Sequence, residues 1–97
     1  MDLMNEAKML KETKRYSAAK KDLDVFRAKL KKCKATCFRE FKEAFPSADR
    51  VGNKTIEVCI DIRRNEYRLI IENYYDLKRT YFVEFMNHKD YGRKYRS

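Results

Sequence analysis

The spacing of apolar residues changes once along this chain, from steps of three and four before Pro46 to steps of two after it. Before Pro46 the pattern is helical. Leu23, Phe26, Leu30, Cys33 and Cys37 fall on one stripe, with Lys20, Lys21, Arg27, Lys31 and Lys32 on the other faces. Ser17 stands where such a helix takes its N-cap. A shorter helix is expected from Met4 to about Lys14, with Leu3, Ala7 and Leu10 three and four apart. A third restarts near Thr36, carries Phe38, Phe41 and Phe45, and stops at Pro46, which has no amide hydrogen to continue it. After Pro46, Ile56, Val58, Ile60 and Ile62 alternate with Glu57, Cys59 and Asp61, which makes Thr55–Ile62 a half-buried strand. Arg63-Arg64-Asn65-Glu66 reads as a hairpin turn, with Asn65 suited to the left-handed conformation. Tyr67–Tyr74 is the next strand, Tyr75–Lys78 a turn, and Arg79 to about Met86 a third strand. Short connections make the three antiparallel neighbours. Helices first and strands second give an α+β fold, with N-terminal helices on a small antiparallel sheet of three strands or slightly more.

The charge balance narrows the function. Lys and Arg number 24 against 15 Asp and Glu, a formal net charge of +9. That excess favours a polyanionic partner, nucleic acid before an anionic membrane or an acidic protein. No secretory-signal pattern opens the sequence and no apolar run approaches the ~20 residues of a membrane span. With three cysteines, an odd number, the chain reads as cytoplasmic with reduced thiols. Cys33 and Cys37 could suggest a metal pair. The lone His88 lies far from them and no second ligand pair exists, so they read as small core residues and no metal or cofactor is expected.

Alternation assigns the sheet faces. Toward the helices it sends Ile56, Val58, Ile60, Ile62, Leu69, Ile71, Tyr81, Val83 and Phe85. To the opposite face it sends Cys59, Arg68, Ile70, Glu72, Phe82, Glu84 and Met86, joined by His88 if the last strand has no bulge. One face thus holds an Arg, two Glu and the only His. An ordinary solvated face with cross-strand pairs such as Glu72 with Arg79 is the alternative.

Three elements in order, Pro46, the run Asn65-Glu66-Tyr67-Arg68-Leu69 and the run His88-Lys89-Asp90-Tyr91, closely resemble the HigB family of toxins from bacterial toxin–antitoxin pairs. The resemblance covers about residues 41–92. The first 40 residues match only as a helical hairpin of the expected length. Arg63-Arg64 stands where the family commonly has a glycine-bearing hairpin. Asn87 stands where it often has Thr before the His, and Gly92 follows the Tyr. The resemblance implies one RelE-like domain over 1–97, helical over 1–45, with sheet and catalytic C-terminal segment over 46–97. It also implies ribosome-associated, metal-independent cleavage of messenger RNA, and neutralisation by a HigA-like helix-turn-helix antitoxin.

Cleavage of RNA without a metal uses the ribose 2′-OH against the adjacent phosphate. It needs a base, an acid for the departing 5′-oxygen and a cation for the charge gathering on phosphate. His88 is the side chain whose ordinary titration range suits proton transfer at neutral pH. Arg68, planar and permanently charged, suits the phosphate, with the scissile phosphodiester lying between the two. Tyr91 is the third candidate, donating a proton or packing at the sheet edge. Lys54, Arg64, Lys89, Arg93 and Lys94 are candidate RNA contacts, and the basic C-terminal run interleaved with Tyr91 and Tyr95 suits cations on phosphate and rings on bases, or else is a frayed tail. Glu72 and Glu84 would repel RNA and are expected in ion pairs with Arg68 or Arg79. A non-catalytic RNA-binding module and a ParE-like toxin acting on DNA gyrase are the competing readings.

Overall fold

The computed structural model describes residues 1–52 and 56–95. Strand β1 (Asp2–Met4) leads into α1 (Glu6–Thr13), a 3-10 turn (Ser17–Ala19), α2 (Lys20–Lys32) and α3 (Phe38–Ala44). Strands β2 (Asp49–Arg50), β3 (Glu57–Ile62), β4 (Tyr67–Tyr74) and β5 (Arg79–Asn87) follow, and α4 (His88–Tyr95) closes the described chain. The fold is α+β, as the change of period predicts. Among the described residues the sheet has five strands in the order β1-β5-β4-β3-β2. The β3–β4–β5 meander is antiparallel as expected, and β1 adds to its edge in parallel.

The helical half differs from its periodicity in three places. Leu3 lies in β1, paired with Thr80, because the open edge of β5 offers backbone partners that a first helical turn lacks. Helix α1 therefore starts only after Asn5, which sits at φ 45°. The delayed start rotates the buried face: Met9 and Thr13 point inward, while Leu10 is 46% exposed. Ser17 opens a 3-10 turn rather than capping α2, which begins after buried Ala19 with no side-chain cap. Helix α2 buries Leu23, Phe26 and Leu30 and ends at Lys32. Cys33 is extended there, so Cys33 and Cys37 flank the α2–α3 connection and share no helical stripe. Thr36 gives both its amide and its hydroxyl to Glu40 Oε1, at 2.7 Å each, and sets the start of α3. Phe41 of α3 stacks on Phe45, the residue that ends the helix, and Phe45 meets Phe26, closing the core between helices and sheet.

Strand β5 carries the main departure from strict alternation. Ile70 pairs with Glu84 but Ile71 pairs with Phe82, so Val83 is an extra residue, a β-bulge. The bulge reverses the parity upstream. Phe82, not Tyr81 or Val83, faces the helices at 2% exposure, while Phe85 and Met86 keep their expected sides. Asn5 holds the bulge: its side-chain amide donates to the Phe82 carbonyl at 2.9 Å and accepts from the Phe82 amide at 2.8 Å, replacing a strand partner. Arg79 stands across from Tyr74, diagonal to Glu72. Residues 63–66 form the turn between β3 and β4, but Arg63 and Arg64, at φ 52° and 62°, take the left-handed conformation expected of Asn65.

The opposite face is only partly open. Helix α4, which period-two reasoning leaves as tail, folds back and buries Tyr91 against Cys59, Ile70 and Met86. Helices α1 to α3 cover one face and α4 covers one end of the other.

Candidate active site

The site forms where the β3–β4 hairpin meets the junction of β5 and α4. Arg68, on β4, stands across from Asp61 of β3 and Met86 of β5. His88 is the first residue of α4, and its amide donates to the Glu66 carbonyl at 2.9 Å, tying the helix start to the hairpin. Asn87 accepts the Asp90 amide at 2.8 Å, the bond an N-cap makes. Threonine and asparagine both cap well, so the departure at position 87 leaves this junction chemically intact.

Arg68 and His88 share one side of the sheet and touch: Nη2 is 2.9 Å from His88 Nδ1. That contact leaves no room for the phosphodiester expected to lie between them. The two differ in exposure. His88 is exposed, whereas Arg68 is 7% exposed. Every donor of that guanidinium is engaged. Nε lies 3.2 Å from Asp61 Oδ1, Nη1 donates to the carbonyls of Asn65 and Tyr67 at 3.1 and 3.3 Å, and Nη2 also reaches Asn65 Oδ1 at 3.3 Å. The carboxylate partner of Arg68 is thus Asp61, not Glu72 or Glu84.

Tyr91, one helical turn after His88, lies beneath the guanidinium with its ring centroid 5.4 Å from Cζ. It is 8% exposed and stacks on Tyr95 at 5.2 Å. Tyr91 also hydrogen-bonds the Cys59 thiol, yet burial dominates there and pushes that thiol up to about 11. Burial and the neighbouring Glu84 carboxylate push the Tyr95 hydroxyl upward as well.

The candidate RNA contacts separate into two groups. Lys89 and Arg93 are exposed one turn apart on α4, and Arg64 is exposed at the hairpin; among the described residues none of the three has a carboxylate in ion-pair range. Lys94 instead binds both oxygens of Glu84, at 2.8 and 2.7 Å. Lys54 lies outside the described residues.

Sequence reasoning missed Asp61 and Asn65 as members of this cluster. The signal was available for one of them. With Ile62 and Tyr67 closing the hairpin, Asp61 falls directly across from Arg68. Asn65 joins only because the left-handed arginines turn its side chain back over the strand.

A family model described as HigB toxin, the RelE-like toxic component of a toxin-antitoxin system, matches residues 19–94. The match begins before α2 and so takes in helices that the motifs alone left unassigned. No curated protein matches the chain. No helix among the described residues is long and apolar enough to cross a membrane.

Proposed function

The chain belongs to the HigB family of RelE-like toxins, and from that premise we propose that it is an endoribonuclease that cuts messenger RNA on the ribosome. As the toxic component of such a pair it has an antitoxin for partner, here proposed to be a HigA-like helix-turn-helix protein. The reading places its action in the cytoplasm, where its substrate is translated.

The observation that carries this reading is the 2.9 Å contact between Arg68 and His88, bordered by three exposed cations that have no carboxylate partner among the described residues. Arg64, Lys89 and Arg93 draw the RNA backbone to this end of the sheet. His88 supplies proton transfer at the 2′-OH or the 5′-oxygen, and the permanent charge of Arg68 stabilises the phosphate as its charge rises. These services come from side chains and need no metal. Tyr91 supports the guanidinium from below, and its buried ring suits packing better than proton donation.

The test uses purified chain, programmed ribosomes and a reporter message. Discrete cuts are expected, and His88→Ala should lower their rate by at least about a hundredfold, the lower range for a lost acid–base group. Because His88 is exposed, the unfolding midpoint of that variant should stay put. Growth arrest that persists in His88→Ala and Arg68→Ala, with no cuts, would point instead to ParE-like action on DNA gyrase. Salt-sensitive RNA binding with no cuts would point to a binding module.

A further inference from the structure

A guanidinium has N–H groups in its plane and no lone pair, so whatever meets it edge-on at hydrogen-bond distance has to accept. His88 Nδ1 lies 2.9 Å from Arg68 Nη2. Nδ1 therefore carries the lone pair, and in the neutral ring the proton sits on Nε2. This holds only while the guanidinium keeps its orientation.

Four acceptors on three residues prevent its rotation. The Asn65 and Tyr67 carbonyls hold Nη1, Asn65 Oδ1 holds the second hydrogen of Nη2, and Asp61 Oδ1 holds Nε at 3.2 Å. Asp61 is the charged member of the set and sits directly across the hairpin from Arg68. Its backbone is pinned too, since the Asp61 amide donates to Ser47 Oγ at 3.1 Å. Charge-assisted bonds of this kind are the stronger and more directional ones.

Resting on the nuclease reading above, we infer that Asp61 is a positioning residue: through Arg68 it keeps His88 as the Nε2–H tautomer, so that RNA docking on the exposed edge of the ring meets a hydrogen-bond donor. The neutral ring then donates a hydrogen bond from Nε2 to the phosphate, and it gives a proton to the departing 5′-oxygen only when Arg68 releases Nδ1 and Nδ1 takes a proton in its place. It does not take the 2′-OH proton through Nε2 while Arg68 occupies Nδ1.

His88 is the single histidine of the chain, so the two ring nitrogens of the 15N-labelled protein give unambiguous NMR signals. With the ring neutral, we expect an unprotonated Nδ1, a protonated Nε2, and a coupling across the hydrogen bond from Arg68 Nη2 to Nδ1. Asp61→Ala should abolish the coupling and move both nitrogens toward the averaged values of a freely exchanging imidazole. Asp61→Asn, which keeps an acceptor, should restore the wild-type pattern. Asn65→Ala, in an exposed turn, loosens the same guanidinium from its other side and should give the same averaging should Asp61→Ala fail to fold. In cleavage, Asp61→Ala should lower kcat about tenfold to a hundredfold, with KM nearly unchanged, as expected for a misaligned rather than absent group. A proton on Nδ1 of the wild-type ring, or ring signals that ignore both substitutions, overturns the inference. A wild-type chain with the stated tautomer but no cleavage instead sinks the nuclease reading and leaves the positioning role standing.

Discussion

At the scale of single residues, Arg68 is held too tightly to be only a surface charge. At 7% exposure it satisfies two backbone carbonyls, an amide oxygen, a carboxylate and an imidazole, and it rests on the Tyr91 ring. Arg68→Ala leaves those acceptors facing a cavity and should cost about 2 to 3 kcal/mol of stability, with Asp61 partly relieved by solvent. Arg68→Lys restores charge but not the planar fork, so the denaturant midpoint should stay well below wild type. Cleavage should fail in both. Cys59 offers a separate check. Its thiol, pushed from an ordinary 9.0 up to about 11 by burial, stays protonated near pH 8. Alkylation of the native protein should therefore mark half-buried Cys33 and Cys37 and spare Cys59, read by mass spectrometry. Between pH 9 and 11 the unfolded chain ionises this thiol first, so its contribution to stability is full below that window and is lost across it.

At the scale of elements, the bulge at Val83 decides which aromatic of β5 belongs to the core. Strict alternation sends Tyr81 and Val83 inward, yet Phe82 is the buried residue and Asn5 braces its backbone. Phe82→Ala should thus cost about 3 to 5 kcal/mol and Tyr81→Ala far less, a contrast that urea unfolding resolves easily. Downstream of the bulge the pattern recovers, and this is why Met86 still lies on the Arg68 side, across from Arg68 itself. The junction that follows is also an element-scale device. Asn87 caps α4, the His88 amide reaches Glu66, and the helix starts at the hairpin where the guanidinium lies.

At the scale of the molecule, the net charge of +9 is unevenly committed. Around the site Arg64, Lys89 and Arg93 are exposed without carboxylate partners among the described residues, whereas Lys94 is bound by Glu84. Binding to single-stranded RNA should weaken with salt. Removing any one of the three exposed cations should flatten the slope of log affinity against log salt by about 0.7, the contribution of one phosphate contact. Lys94→Ala should leave that slope nearly unchanged. Filter binding across a salt series distinguishes the two outcomes.

The amino-acid order alone determined the α+β class, the extents of β4 and of the turn after it, and the amphipathic face of α2. Each follows from local periodicity and turn chemistry, which a chain carries without reference to distant parts. It put Arg68 and Met86 on one side, but His88 beside them only if β5 had no bulge; the bulge falls upstream at Val83, and the start of α4 at His88 brings that ring to Arg68. The tertiary structure alone decided that Leu3 joins the sheet, that Val83 bulges, that Asp61 and Asn65 clamp Arg68, and that α4 returns over Cys59 and Ile70. Those outcomes depend on which unpaired backbone groups, buried donors and apolar surfaces meet across the fold. Such meetings leave no period in the sequence, only the requirement that each buried polar group find a partner.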